Sequence, residues 1–171
     1  MVLSFNDEKY RLIMQSNISS GLLMFALKNG KLKIFLVHPG GPFFTNKDTG
    51  YWGIPKGLTE KDEDLLSAAK REFEEETGIK PKGEFLPLGS VVQKSGKTVH
   101  AWAFKCGDDN QPQIQCNTFK MEWPPKSGKF SEFPEVDKGE FFDEEEAKVK
   151  INSSQLSFIE RLKEILKKGN T

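Results

Sequence analysis

Hydrophobic positions divide the chain into apolar runs of strand length and two stretches with helical spacing. Ser19–Lys28 (SSGLLMFALK) and Leu32–His38 (LKIFLVH) are apolar runs separated by Asn29-Gly30-Lys31. That is the turn chemistry of a β-hairpin, and it predicts two paired strands. Pro39-Gly40-Gly41-Pro42 then breaks regular structure, and a polar segment, Thr45–Gly50, extends a long loop into Trp52-Gly53-Ile54-Pro55-Lys56-Gly57. Loops of this length inside compact domains often carry function. Residues 1–17 mix Phe, Tyr, Leu and Ile with charges at no clear period, which suits either a short helix or a loose leader.

From about Asp62 to Thr77 the chain has neither Gly nor Pro and is rich in helix formers, and Gly78 follows in the position of a C-terminal cap. Phe85–Val92, Thr98–Lys105 and Gln113–Glu122 read as strands, with turns at Ser95-Gly96-Lys97 and Gly107–Asn110. Glu140-Phe141-Phe142 is a further short strand, and Asp143 is placed to cap a brief helix to about Lys148. Ser153–Lys168 sets Leu156, Ile159, Leu162, Ile165 and Leu166 at helical spacing and ends at Gly169. The order strands, helix, strands, helix predicts an α+β domain spanning residues 1–171, with a mixed β-sheet between helices.

The first long helix breaks its own pattern. With Leu65 at zero and about 100° per residue, Ala69, Phe73 and Leu66 fall at roughly 40°, 80° and 100°, one apolar sector. Glu76 and Glu72 fall at about 20° and −20°, beside or on that sector, and Glu75 flanks them near −80°. An unpaired charge buried there costs several kcal/mol. The helix C-terminus disfavours each anion by roughly another 0.3–1 kcal/mol. Arg71 reaches Glu75 at i+4 but cannot neutralise three carboxylates. Two readings remain at this point, a solvated acidic helix end and a site for a hard divalent cation such as Mg²⁺ or Mn²⁺.

Composition narrows the function classes. The chain has 171 residues, 36% of them hydrophobic and 14 of them Phe, which is enough for one sizeable core. Lys+Arg and Asp+Glu both number 25, so no charge excess draws the chain to a nucleic-acid duplex or an anionic membrane. The longest apolar stretch, Gly21–Leu27, is far shorter than the ~20 residues of a membrane span, and no export signal is visible. Cys106 and Cys116 are expected as free thiols in the cytoplasm.

Gly57, five residues, Glu63, seven residues and then Arg71-Glu72-Phe73-Glu74-Glu75-Glu76-Thr77-Gly78-Ile79 resembles the Nudix box, Gly-x5-Glu-x7-Arg-Glu-U-x-Glu-Glu-x-Gly-U, with every defined position filled. The resemblance implies an α/β/α sandwich over roughly Ser19–Lys168 and a Mg²⁺- or Mn²⁺-dependent hydrolase that cuts a pyrophosphate bond in a nucleoside diphosphate derivative. It further implies that Glu72, Glu75 and Glu76 hold the metal, with the Lys56 carbonyl and Gly57 beside it, Arg71 orienting and Glu63 as an auxiliary or water-mediated ligand. The water-activating base is then Glu72 or a carboxylate outside the box, supplied by the loop expected over Ser131–Asp137 before the last strand, with Glu135 the first choice and Glu132 the second.

Lys56, Lys94 and Lys97 are candidates for contact with substrate phosphates, and Tyr51, Trp52 and Trp123 for stacking on a base, each set against a merely solvated or core role. His38 and His100 have no nucleophile beside them and are expected to be structural. The Trp-x-x-Pro-Lys-Gly entry resembles the dinucleoside polyphosphate branch of the family, although Tyr10 and Tyr51 both precede the box where that branch carries a Tyr after it. ADP-ribose and nucleoside triphosphates are the alternative substrates, no coenzyme A signature lies upstream, and a non-catalytic nucleotide sensor is the alternative class. The expected partner is a small nucleotide, bound by a monomer or homodimer.

Overall fold

A computed structural model describes residues 17–107 and 112–169. The leader expected at 1–17 lies almost wholly outside the described residues, as does most of the turn expected at Gly107–Asn110. Strands β1 (Ile18–Lys28) and β2 (Lys31–Pro39) form the predicted hairpin. Asn29 and Gly30 both take positive φ, 52° and 74°, as a two-residue turn matched to strand twist requires. Strand β3 (Lys56–Leu58), helix α1 (Leu65–Thr77), β4 (Leu86–Val92) and β5 (Thr98–Lys105) follow. Next come β6 (Thr118–Glu122), β7 (Phe130–Pro134), β8 (Val136–Asp143), α2 (Glu144–Lys150), a 3-10 turn at Ser153–Gln155 and α3 (Leu156–Gly169).

The main sheet runs β4-β5-β1-β2-β8, with β3 pairing on β1. Only β1 and β5 pair in parallel, so the sheet is mixed as expected. Alternation along β1 divides the core. Leu22 and Met24 face α1 with Ala69, Phe73 and Phe104, whereas Leu23 and Phe25 face α3 with Phe158, Ile159 and Leu162. Helices therefore cover both faces.

Four local expectations need correction. The segment expected as one strand over Gln113–Glu122 is extended into a ladder only from Thr118, and it pairs with β7 in a separate two-stranded flap. Residues Ser131–Pro134, expected in a loop, belong to that flap, whose β7 exposes nearly every side chain and so shows no apolar run to read. Strand β3 was hidden because its three residues carry no pattern and depend on Gly21, where a Cβ would strike the Pro55 carbonyl and Lys56 Cβ. Asp143 stands at the N-cap of α2, but its carboxylate binds Lys33 Nζ at 2.7 Å across the β2–β8 pair instead of capping the helix.

Candidate active site

Helix α1 begins at Leu65, where Asp64 accepts a hydrogen bond from the Ser67 N–H at 3.0 Å, and ends at Gly78, which adopts φ 74° and donates to the Glu74 carbonyl at 2.7 Å. Ala68, Ala69, Phe73 and Thr77 are its buried side, and the Phe73 ring meets Phe35 at 6.5 Å and Phe104 at 5.1 Å. This packing fixes the rotation of the helix. It consequently carries Glu72 and Glu76 to the edge of the apolar stripe, over β3.

Glu76 Oε2 accepts the Lys56 backbone N–H at 3.1 Å. Burial pushes the Glu76 carboxyl up to about 8, against the pull of the Lys56 charge. Burial also lowers the Lys56 ammonium, opposed by Glu76, while the charge of Lys97 adds to the lowering. Glu72 rises above the usual carboxylate range through burial, with Arg71 opposing and Glu75 and Glu135 adding to the rise. Glu135 rises for the same first reason, and the charge of Glu75 adds to it. Four acids from α1 and the β7–β8 junction thus share one electrostatic site.

Arg71 organises one side of that site. Its Nε and Nη2 hold both oxygens of Glu63 at 2.9 Å, Nη1 reaches Glu72 at 2.7 Å and Glu75 at 3.3 Å, and Nη2 also donates to the Leu58 carbonyl at 3.0 Å. The predicted Arg71–Glu75 contact is present, but the guanidinium serves Glu63 first and is held charged by it. Glu63 is held on both oxygens by Arg71, and one of them also accepts the Glu60 N–H at 3.0 Å, so its direct contact in this structure is with the arginine that orients Glu72 and Glu75. Gly57 is explained by steric need. A Cβ there would coincide with the Glu72 carboxylate.

Among the described residues no three Asp, Glu, His or Cys side chains converge, as they stand, into a set that would hold a metal ion. The oxygens of Glu72, Glu75 and Glu76 are instead turned to Arg71 and to the Lys56 N–H. The donor chemistry nevertheless fits a hard divalent cation: the side chains offer oxygen only, and burial, which pushes the Glu76 carboxyl up, is the cost a bound cation would offset. Lys56 and Gly57 lie in β3 directly beside these acids.

A cleft of about 340 Å³ opens next to the acids and is lined by Lys56, Glu76, Glu135, Tyr51, Phe44 and Gln155, among others. Larger clefts, about 700 Å³ between β4 and α3 and about 550 Å³ at the β1–β2 turn, contain none of the clustered acids. Tyr51 is 43% exposed, its ring 6.3 Å from Phe44 and under the Lys47 ammonium at 5.3 Å, so it remains available for stacking. Trp52 also lines this cleft, but at 3% exposure its indole packs edge-on to Phe142 and His38 and donates to Asp48 at 2.7 Å, so it contributes to the cleft from the core.

Lys94 lines an adjoining cleft with Tyr51 and Asn152. Trp123 stands on the flap against Phe43 at 5.4 Å and does not line the acid-side cleft. Glu132 binds the Thr118 hydroxyl within the flap and does not line the acid-side cleft, whereas Glu135 does. His38 is buried, with Asp137 on Nδ1 at 2.7 Å and the Lys47 carbonyl on Nε2 at 2.6 Å, which ties the β2–β3 loop to β8. Sequence reasoning missed Phe44 and Gln155. Gln155 Oε1 accepts the Ile54 N–H at 3.0 Å, and the only available signal was a polar residue at the start of an amphipathic helix.

A family model described as "NUDIX domain" matches residues 20–162. Among solved structures the chain resembles a Caenorhabditis elegans Ap4A hydrolase in a binary complex, with TM-score 0.61 and 20% identity, covering 86% of this chain and 97% of that one. It also resembles the NUDIX domain of Shewanella oneidensis NrtR complexed with ADP ribose, with TM-score 0.62, 20% identity and 87% of each chain covered. A MutT protein from Methanosarcina mazei gives TM-score 0.56 at 21% identity over 88% of this chain and 94% of that one. These likenesses concern the fold. No curated relative matches the chain.

Proposed function

The chain belongs to the NUDIX domain family and is one of its pyrophosphohydrolases, and from this premise we propose that it hydrolyses a dinucleoside polyphosphate with Mg²⁺ or Mn²⁺. The observation that carries the proposal is a cluster of interacting acids, Glu72, Glu75, Glu76 and Glu135, two of which, Glu76 and Glu135, line a cleft together with Tyr51 and Phe44.

A divalent cation bound by Glu72, Glu75 and Glu76, with the Lys56 carbonyl beside it, would draw charge from the phosphate oxygens and make phosphorus more open to attack. The chain supplies the rest. Arg71, itself clamped by Glu63, keeps Glu72 and Glu75 from swinging away. Lys56 lines the cleft, where its ammonium meets a phosphate oxygen, and Tyr51 offers a ring face to a base. Glu135 carries no hydrogen bond to its carboxylate among the described residues and lines the same cleft, so it takes the proton of the attacking water. The P–O–P bridge breaks, and two phosphate-ended products leave.

We also infer a cytoplasmic enzyme: no disulfide joins Cys106 and Cys116, and no helix among the described residues is long and apolar enough to cross a membrane. The test is product analysis on dinucleoside polyphosphates, ADP-ribose and nucleoside triphosphates, with Mg²⁺ and then with chelator. Metal-dependent cleavage of a dinucleoside polyphosphate at the highest kcat/KM is the expected result. Preference for ADP-ribose or a triphosphate would reassign the substrate, and binding without turnover would identify a sensor.

A further inference from the structure

We propose that Ser20, a residue outside the Nudix box, is a positioning residue for Glu72, its hydroxyl holding the carboxylate oxygen that faces away from Arg71. The inference rests on the divalent-metal reading above. Ser20 is 0% exposed, and its Oγ makes no hydrogen bond among the described residues. A buried hydroxyl without a partner is destabilising, so its retention in the middle of a core strand needs a reason.

The register supplies one. Ser20 pairs directly with Gly57 across the antiparallel β1–β3 ladder. Opposed residues on such a ladder point to the same face, with Cβ positions about 4.5–5.5 Å apart. The place where a Gly57 Cβ would stand is filled by the Glu72 carboxylate, with both oxygens against it and Oε2 the nearer of the two. Glu72 therefore fills the cross-strand position beside Ser20, on the face that Leu22 and Met24 turn toward α1. Arg71 holds Oε1 at 2.7 Å, and no hydrogen bond reaches Oε2 among the described residues. An unpartnered donor thus lies across the ladder from a carboxylate with one unpartnered oxygen, and in the proposed arrangement rotation of these groups brings the two together. The hydroxyl would then fix the orientation in which Glu72 meets a cation.

His100 is the competing neighbour, because it pairs with Ser20 across the parallel β1–β5 ladder. Ser19 is the internal control: it is equally buried and unpartnered, but it points to the opposite face.

The experiment measures Mn²⁺ affinity by the loss of the free-ion spin-resonance signal, together with the metal-free thermal midpoint, for wild type, Ser20→Ala, Ser19→Ala and His100→Phe. Ser20→Ala should weaken Mn²⁺ binding roughly tenfold, the usual scale for removing a hydrogen bond behind a ligand. Its metal-free midpoint should stay level or rise, because an unsatisfied buried hydroxyl has been removed. Ser19→Ala and His100→Phe should leave Mn²⁺ affinity unchanged. Unchanged affinity in Ser20→Ala, or an equal loss in His100→Phe or Ser19→Ala, would overturn the assignment while leaving the metal reading in place. Failure of the wild type to bind Mn²⁺ would overturn both.

Discussion

The carboxylate of Glu72 occupies the volume that a side chain at Gly57 would need, so the glycine of a three-residue strand sets the position of an acid on the helix packed against it. Gly57→Ala should therefore displace Glu72 rather than strain the backbone, since Gly57 is not among the glycines with positive φ. A shift of about 1 Å in a reacting constellation costs on the order of a hundredfold in rate. Turnover of Gly57→Ala should fall by about that factor, with the circular dichroism spectrum retained. Wild-type turnover would show that Glu72 has a second, equally competent position.

Glu76 makes a prediction about the metal-free protein. Its carboxyl, raised to about 8 by burial, binds a proton in the folded state at pH values where the unfolded chain, near 4.5, has lost it. The folded state then holds more protons, so the stability contributed by this group is full below about 4.5 and is lost as pH rises through about 8. In chelator, the thermal midpoint of the wild type should drop over this window relative to Glu76→Gln, and the variant should be the more stable of the two at pH 8. Each tenfold difference in proton affinity between the folded and unfolded states is worth about 1.4 kcal/mol. Each kcal/mol in turn moves the midpoint of a domain of this size by roughly 2–4 °C. Parallel pH profiles for the two proteins would show that the carboxyl is not buried.

What the sequence made legible here follows from local rules. Asn29-Gly30 announces its hairpin because both turn positions need positive φ, and Gly78 announces a helix end for the same reason. The helical period alone placed Glu76 on the buried side of α1, where the structure has it. Features settled by distant pairing were not legible. Strand β3 exists because Gly21 makes room for Pro55 and Lys56, and the flap is held by a ladder whose β7 strand shows no apolar alternation. Trp52 looks like a cleft aromatic in a loop, yet Asp48, His38 and Phe142 draw it into the core. Glu63 matches a ligand position in the motif, and only the bidentate geometry shows that Arg71 has taken it.

That geometry separates Glu63 from the acids it supports. Arg71→Lys keeps the charge but loses the planar fork that spans Glu63, Glu72, Glu75 and the Leu58 carbonyl. It should lower kcat/KM at least tenfold, by loosening Glu72 and Glu75 together. Glu63→Gln should lower turnover less and leave Mn²⁺ affinity near the wild-type value, because it acts through Arg71. A Glu63→Gln variant that loses Mn²⁺ binding as fully as Glu75→Gln would return Glu63 to the ligand set.

The assignment of the base depends on which carboxylate remains available after a cation has taken its ligands. Glu72 is bound by Arg71 and confined against Gly57, whereas Glu135 lines the cleft from the junction of β7 and β8. Its backbone is fixed on both sides: its N–H donates to the Asn117 carbonyl at 3.0 Å, and its carbonyl accepts the Gly40 N–H at 3.0 Å. The side chain is therefore presented from a rigid point but is not itself held, which suits a group that must meet a water within roughly 2.6–3.2 Å and accept its proton. A carboxylate already neutralised by a cation is a poor acceptor, so the two roles should fall on different residues. Glu135→Gln should lower kcat about a hundredfold or more while leaving Mn²⁺ affinity and KM near wild type. Glu72→Gln should weaken Mn²⁺ binding and turnover together. Metal titration and steady-state kinetics on the two variants distinguish the roles, and normal kcat in Glu135→Gln at saturating substrate would transfer the proton to Glu72.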